Sequence, residues 1–575
     1  MKTKNLIKQI CPPILWHLIS KKFNQIRNSK NKYDLRRWWS GEDLIGSGIR
    51  FKKNFKVEDF KIYTAMIDKE IRETIKINPQ KKIKINSNND LRNLEIIFSI
   101  SVRSLGESTP GNVQVLINGS KIVEISNLLN HKWNNAYFNN LNDKINNIEV
   151  VNNTNEILYF ACPITFEKFQ ENEKIKNVFL VVLDQPDFST FNELFQSKEL
   201  PFINEFFDKG YNFENFYSVA EWTIPCFDSI FSGKYPSEHG FFDLKCSSTL
   251  KENHGENIMS YMNQRSFSTF GVSRSKGHHA GFQFNDDFDR LLYFEDKGIS
   301  NIDDDSKISM ETINHLNLNN NGKNFVFLHF MSTHSPFIKP NISEEKNLNP
   351  IRHGDPKKEY NDSIIGYGAS KVEPIMDNAK VNSIIDRQKE RIKKIDAQLG
   401  LLLSFIEKKK QKKNTIFILT SDHGPNHLNK NGQSMMNKMR LNIPLLIYDF
   451  NVDKMINVKN FVSQIDIYPI IRSFFEKNPD KTSITLPYGT KSENIISESI
   501  FNNLYQASIR NDNHIYNFSC EFDASNLTIN LKKILENKVE IMNNNGQDKE
   551  EDLLINYQGQ IKKHLLKSKK LKILG

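Results

Sequence analysis

The sequence predicts an α/β fold: a mainly parallel sheet sandwiched by helices, preceded by a β-sandwich accessory domain. Three observations carry this. Two runs rich in Val, Ile, Leu and Phe, NVFLVVLD ending in Asp184 and NTIFILTSDHG carrying Asp422 and His423, break off abruptly in a carboxylate. That is the pattern of a buried parallel strand delivering a polar residue to the carboxyl edge of a sheet. Between residues 177 and 535 such strands alternate with amphipathic helical segments, which implies βαβ units with helices on both faces. Residues 48–166 differ: LEIIFSISVRS, NVQVLINGSKIVEI, INNIEVVNN and EILYFACPITF are short alternating or apolar runs separated by Asn, Gly, Ser and Asp. Their spacing predicts a jelly-roll-like β-sandwich.

In chain order, residues 1–47 form a basic N-terminal extension mixing Ile, Leu and Trp with Lys and Arg. It suits an interfacial segment on an anionic membrane as well as an extension packed on the enzyme. The 48–166 domain follows, in which Trp133 and Tyr137 fit a core better than a sugar platform. Polar residues 167–176 read as a linker. In residues 177–535, LPFINEFFDKG is an amphipathic helix with a glycine stop, SFSTFGVS and FVFLHFM are strands, and SIIDRQKERIKKIDAQLGLLLSFIEKKKQKK is a long amphipathic helix. Residues 536–575 read as a polar and basic tail in which lysines alternate with leucines. An anionic membrane, an acidic glycan and plain solvent all remain open as its surroundings.

The 575 residues suffice for a large core, and the net charge of +10 is modest for that length. Asn, Lys and Ile dominate, as in proteins of AT-rich bacterial genomes. Five scattered cysteines without a CxxC pair give neither a disulfide framework nor a zinc ribbon, which points to a reducing compartment. No leader or spanning segment is visible, since the apolar stretch from Ile10 to Ile19 is short and broken by Pro12 and Pro13. The expected location is cytoplasmic, with peripheral contact on the inner membrane. Nucleic-acid motifs are lacking.

Residues 217–240, YSVAEWTIPCFDSIFSGKYPSEHG, offer the chemistry. Thr223 stands on a turn that runs through Pro225 into an apolar helical segment closed by Ser-Gly. Pro225 has no N–H to lose and suits a first helical turn. The threonine would therefore lie beside free backbone N–H groups, where anions bind. An isolated Thr-x-Pro is most often a simple cap; Asp184, Asp422 and His423 at other strand ends change that. Together with Thr223 they give three oxygens and one imidazole for a single divalent cation, Mn²⁺, Mg²⁺, Ca²⁺ or Zn²⁺, which would also activate the threonine hydroxyl.

The ordered series Asp184, WTIPCFDSIFSGKYPSEHG, FVFLHFMSTHSPF, FILTSDHG, MRLNIPLLIYDF and VSQIDIYP resembles the sulfatase branch of the alkaline phosphatase superfamily, from about residue 176 to 498. The resemblance implies a covalent ester-cleaving enzyme and assigns further residues. His334 matches a substrate-contacting or general-acid position. Lys438 and Arg440 are candidate catalytic cations, His278 and His279 candidate substrate-binding residues, and His239 and Asp466 structural landmarks. Residues beyond Pro487 resemble the family's small C-terminal subdomain.

The departures matter. Sulfatases proper carry Cys or Ser in a CxPSR-like motif, oxidised to formylglycine; here Thr223 takes that position, with Cys226 at the following serine and Phe227 in place of the arginine. Threonine is not a substrate for that modification. Gln185 follows Asp184, where sulfatases usually present a second acidic ligand. A threonine with an Asp-His pair instead resembles the superfamily's phosphoethanolamine and glycerophosphate transferases. The expected function is metal-dependent cleavage or transfer of a phosphate or sulfate ester on a glycan or glycolipid, through covalent attack by Thr223. The alternatives are a sulfuric ester hydrolase without formylglycine and a catalytically silent glycan-binding scaffold. Against the scaffold stands the cost of polar groups at buried strand ends with no task.

Overall fold

The computed structural model describes residues 43–575 apart from 92–93, 140–143, 171, 242–254, 274–286, 295–304, 335–377, 426–435, 477–493, 502, 524–525, 543–548 and 569–570. The basic extension of residues 1–42 lies outside the described residues. At the centre, five parallel strands run in the order Arg290–Tyr293, Phe267–Ser273, Lys323–Phe330, Asn177–Leu183 and Thr415–Ser421. Beyond Thr415–Ser421 the sheet continues through the antiparallel strand Leu445–Tyr448 to Gly210–Phe213 and Met455–Val458.

The predicted helix layers cover both faces. Alternate residues of a strand point to opposite sides. Val178, Leu180 and Val182 pack with Phe227, Ile230 and Phe231 of the helix Thr223–Ser232. Phe179, Val181 and Leu183 pack on the other side with Ile392, Ile395, Leu399 and Leu402 of the long helix Asn378–Lys408. From Val178 to Leu183 the central strand is therefore wholly apolar, and the first polar side chain beyond it is Asp184.

The N-terminal module is built from two sheets. Ile62–Ile67, Glu70–Ile77, Leu158–Ala161, Leu94–Val102 and Ile164–Glu167 form one; Phe55–Lys56, Lys81–Leu91, Ile145–Asn152, Ser108–Ile117 and Ser120–Leu129 form the other. Phe98, Ile100, Val113, Val115, Ile148, Val150 and Phe160 are among the residues that fill the space between them. A feature invisible in the pattern is that the first of these sheets is continuous with the catalytic one. Glu70–Ile77 pairs antiparallel with the edge strand Arg290–Tyr293, through Leu291 with Ile71 and Leu292 with Glu70. An edge that would otherwise expose unpaired backbone is thereby closed. The stretch expected as a linker is also anchored: Phe169 N–H donates to Asn321 O and Lys176 N–H to Asn414 O. Trp133 packs on Ala65, Ile67 and Tyr159, with the Arg72 guanidinium 5.2 Å from its ring centre, whereas Tyr137 is exposed.

The C-terminal residues are no loose tail. Ile495–Phe501, Leu504–Arg510, His514–Asp523, Thr528–Ile541 and Lys572–Leu574 form a separate sheet. The helix Glu550–Leu565 lays Tyr557, Ile561 and Leu565 against its core. Buried His564 faces Glu498 Oε2 at 3.1 Å, fastening the helix to the strand nearest the catalytic domain. Tertiary burial of an apolar stripe thus overrides the polar look of residues 536–575. Among the described residues no helix is long and apolar enough to cross a membrane.

The seam between modules carries a buried ionic cluster. Arg290 Nε and Nη2 donate to Glu70 Oε1 and Oε2 at 2.8 and 2.9 Å, and Arg72 Nε donates to Oε1 at 2.5 Å. Burial disfavours the Glu70 carboxylate, but Arg290 and then Arg72 outweigh it and hold its pKa down at about 2, against an ordinary 4.5. Glu70→Ala, which strands two buried guanidinium groups, is expected to destabilise the fold by about 3–5 kcal/mol in urea unfolding at pH 7. Because the folded pKa is depressed, the stability supplied by this carboxylate is complete above about pH 4.5 and disappears as pH falls toward 2. The gap between wild type and Glu70→Gln should narrow across that window; a gap independent of pH would contradict the assignment.

Candidate active site

Strand register creates the site. Leu183 pairs with Ser421 on the neighbouring parallel strand, so the next residues, Asp184 and Asp422, leave the sheet side by side. Both carboxylates are almost wholly buried, at 1% and 0% exposure. Asp184 Oδ2 is 3.2 Å from His329 Nε2, and its Oδ1 is 4.0 Å from His334 Nε2. Asp422 Oδ1 accepts from the backbone N–H groups of Gln185 and His423, at 3.0 and 2.8 Å. Asp184 Oδ1 and Asp422 Oδ2 are buried without any hydrogen-bond partner.

The backbone bends to make this possible. Gln185 has φ +73°, a left-handed conformation rare for a residue with a side chain, and this turns its N–H onto Asp422. Its carbonyl accepts from Gln388 Nε2 of the long helix at 3.1 Å. Gly424 lies so tightly against the Met439 carbonyl and Arg440 that a Cβ would collide with them. That close approach lets the chain turn directly after His423.

Thr223 is the first residue of the helix Thr223–Ser232, entered through extended Trp222 and stopped by left-handed Gly233. Its Oγ1 lies 3.4 Å from His423 Nε2. His423 Nδ1 donates to Gly424 O at 2.8 Å, which turns Nε2 toward Thr223 and toward Asp422 Oδ2, 3.4 Å away. Burial pushes the His423 pKa down to about 4, in spite of Asp184 and with Arg440 assisting, so the ring is neutral at physiological pH with a lone pair to offer. Burial and then the Asp184 charge push Asp422 up to about 7. Burial also opposes ionisation of Asp184, but His334, His329 and His423 together hold it below the ordinary range. Two adjacent carboxylates thus pull apart in proton affinity, as like charges in one pocket must.

The expected residues fall into three groups. Asp184, Asp422 and His423, at the ends of two adjacent strands, and Thr223, at the head of a helix, come together. His334 stands at the mouth of the site, about a quarter exposed, on a loop steadied by Ser332 N–H donating to Asp305 Oδ2 at 2.8 Å. Lys438 is exposed, at the start of the helix Lys438–Leu441. Arg440, expected as a substrate-facing cation, is buried: its Nε and Nη2 donate to Glu221 O at 3.0 and 2.8 Å. It braces the turn ahead of Thr223 and lends positive charge to the surroundings of His423. His278 and His279 lie outside the described residues.

Cys226 is buried with Sγ 3.2 Å from Ala220 O, and burial raises its thiol pKa well above the ordinary value. Such a thiol is a poor nucleophile. The landmarks expected as structural are so: His239 Nε2 meets Ser229 Oγ at 3.0 Å, and Asp466 Oδ2 accepts from Ser463 N–H at 2.8 Å.

Two contributors escaped the motif reading. Gln464 receives the Val219 N–H on Oε1 at 3.0 Å and donates through Nε2 to Ser421 O and Asp422 O at 3.2 and 2.5 Å, tying the two loops together. His329, fully buried, joins Asp184 and Asp422 in a group whose candidate ligand atoms all lie within 4.8 Å of one another. The signal for His329 was available, since an imidazole inside FVFLHFM is costly unless it is partnered. The orphaned carboxylate oxygens and the neutral imidazole facing them fit a divalent cation: otherwise they are desolvated acceptors with nothing to accept from.

The sequence model of the sulfatase family matches residues 176–475, just over half of the chain. No curated protein matches the sequence. Among solved structures, the phosphonate monoester hydrolase SpPMH from Silicibacter pomeroyi aligns with a TM-score of 0.50 at 12% identity, covering 69% of this chain and 96% of that one. BT1596, described as a 2-O GAG sulfatase, aligns with a TM-score of 0.50 at 13% identity, over 69% and 93%. A sulfatase-like protein from Bacteroides thetaiotaomicron gives 0.50 at 14% identity, over the same shares. At these identities the likeness is one of fold.

The bent backbone at Gln185 can be tested by substitution. Gln185→Gly, which adopts φ +73° without strain, should alter melting stability by less than about 1 kcal/mol. Gln185→Val should cost about 1–3 kcal/mol, because a β-branched residue resists that conformation. Equal losses in thermal unfolding would show that the side chain, not the backbone, matters here.

Proposed function

The chain belongs to the sulfatase family and is a hydrolase of the alkaline phosphatase-like superfamily, and from that premise we propose that it cleaves or transfers a phosphate ester through a covalent Thr223 intermediate. The observation that carries this is the Thr223 hydroxyl at the head of a helix, 3.4 Å from a neutral His423 and beside two buried carboxylates with unpartnered oxygens. A bound divalent cation would supply Lewis acidity there, lowering the proton affinity of the Thr223 hydroxyl and neutralising the non-bridging oxygens of the ester. Asp184, Asp422, His423 and Thr223 would hold it.

The residues then divide the work. Free N–H groups of the first helical turn orient an anionic ester in front of Thr223 Oγ1. With its proton already released to solvent, the ionised Thr223 Oγ1 attacks, forming the Oγ1–P bond and breaking the P–O bond to the leaving alcohol. His334, at the mouth, is suitably exposed to give that alcohol its proton. Water or an acceptor hydroxyl next attacks phosphorus, returning its proton to the same ring and freeing Thr223. The turn before Thr223 must stay still throughout. Its supports are Ser218 N–H to Leu441 O, Ser497 Oγ to Ser218 O, Glu498 N–H to Val219 O and Ser499 Oγ to Glu221 Oε1.

Phosphate is favoured over sulfate because threonine cannot become the aldehyde hydrate by which sulfatases proper attack sulfur, and the nearest thiol is buried and turned away. A glycan or glycolipid is the proposed carrier of the ester, because residues 6–22, LIKQICPPILWHLISKK, resemble the start of several enzymes of bacterial surface polysaccharide synthesis. An anionic membrane is the proposed surface on which the enzyme meets such a carrier.

Exposure of purified protein to generic phosphodiesters with Mn²⁺ should leave a phosphate or phosphoester mass on the peptide carrying Thr223. Thr223→Ala should lack it and lose turnover by about 10⁴-fold. Sulfate release without an adduct would instead establish the sulfuric ester hydrolase.

A further inference from the structure

We infer that His329 is a fifth ligand of the cation site and makes it select Zn²⁺ over Ca²⁺ and Mg²⁺. This deepens the metal-dependent reading of the same site. The strand Lys323–Phe330 is buried along its whole length, and Phe325, Val326, Phe327, Leu328 and Phe330 are fully enclosed. His329 interrupts that run at zero exposure, with Phe227 packed edge-on against its ring at 4.8 Å. A polar ring buried so completely must be satisfied at both nitrogens.

Its two nitrogens repeat the arrangement of His423. In His423, Nδ1 is tied back to Gly424 O at 2.8 Å and Nε2 faces Asp422 Oδ2 and Thr223 Oγ1, each at 3.4 Å. In His329, Nδ1 meets Ser273 Oγ at 3.1 Å and Nε2 faces Asp184 Oδ2 at 3.2 Å. A metal-ligating histidine characteristically donates from one ring nitrogen to the protein and keeps the other for the ion. Two histidines on different strands, each with Nδ1 held by the protein and Nε2 turned toward one of two neighbouring carboxylates, form a built donor set.

The spacings agree. Donors about 2.1 Å from one cation stand roughly 3.0–3.4 Å apart in octahedral or tetrahedral order. The 3.2 Å from His329 Nε2 to Asp184 Oδ2 and the 3.4 Å from His423 Nε2 to Asp422 Oδ2 and to Thr223 Oγ1 fall in that range, and Asp422 links the two sets, its ligand atom lying within 4.8 Å of those of Asp184 and His329. The residue following Asp184 is Gln185, so the first strand offers a single carboxylate and His329 stands where a further donor is wanted. Counting Asp184, Asp422, Thr223, His423 and His329, the donors are three oxygens and two imidazole nitrogens. Ca²⁺, Mg²⁺ and Mn²⁺ favour oxygen ligands, whereas imidazole suits Zn²⁺.

The test is calorimetric titration of chelator-treated, full-length protein with ZnCl₂, MnCl₂ and CaCl₂, together with pulsed electron paramagnetic resonance of bound Mn²⁺. Wild type should bind Zn²⁺ at least about 100-fold more tightly than Ca²⁺ and show couplings to two imidazole nitrogens. His329→Gln should weaken Zn²⁺ by about 10–100-fold or more and leave one nitrogen coupling. Should His329→Gln fail to fold, as judged by circular dichroism of the apo protein, Ser273→Ala keeps the ring and should weaken Zn²⁺ by about tenfold. Two nitrogen couplings in His329→Gln, or unchanged Zn²⁺ affinity while Asp422→Ala abolishes binding, would leave the cation site standing and overturn the role of His329. Ca²⁺ binding as tight as Zn²⁺ would overturn the selectivity, and failure to bind any of the three would remove the cation site altogether.

Discussion

Two carboxylates that adjacent parallel strands force together, both buried, are the constraint on which this structure depends. The pairing of Leu183 with Ser421 leaves Asp184 and Asp422 no choice but to emerge side by side. Burial, and then the charge of Asp184, pushes Asp422 up to about 7. Much of the neighbouring polar structure answers that conflict: the left-handed Gln185 that aims an N–H at Asp422, the imidazoles of His329 and His423, and the oxygens left open for a cation.

The same constraint explains why distant parts of the chain converge here. Gln388 reaches from the long helix to hold the Gln185 carbonyl, Gln464 joins the Asp422 loop to the turn before Thr223, and Arg440 clasps Glu221. The C-terminal sheet contributes Ser497, Glu498 and Ser499 to the same turn. Docking of that sheet depends in turn on the helix Glu550–Leu565, whose His564 meets Glu498. Rigid support of this kind is what a nucleophile without intrinsic reactivity requires, since a misplacement of about 1 Å can cost two orders of magnitude in rate. The N-terminal module extends the catalytic sheet at its Arg290–Tyr293 edge, joined also through Glu70 and Arg290, and covers that edge.

Much of this was legible in the sequence because strand ends are local. A β-branched run that stops at an aspartate announces a buried strand and a functional edge together, and Asp184, Asp422 and His423 were found in that way. Thr223 was legible from the proline two residues later and the Ser-Gly stop. What stayed hidden depends on pairing over long distances. Nothing within residues 70–77 says that they extend a sheet whose next strand begins at Arg290. Nothing around Arg440 says that its guanidinium turns inward to a carbonyl. The basic look of residues 536–575 concealed the narrow stripe of Tyr557, Ile561 and Leu565 that docks them. His329 lay between: visible as an oddity in an apolar run, but meaningful only once the register put it beside Asp184.

The most direct test of the cation-centred site is anomalous diffraction from crystals soaked in Mn²⁺ or Zn²⁺. One strong peak is expected, enclosed by Asp184, Thr223, Asp422 and His423. A peak only at the protein surface, or none under conditions in which the crystals remain ordered, would contradict the view that these buried carboxylates exist to hold a metal.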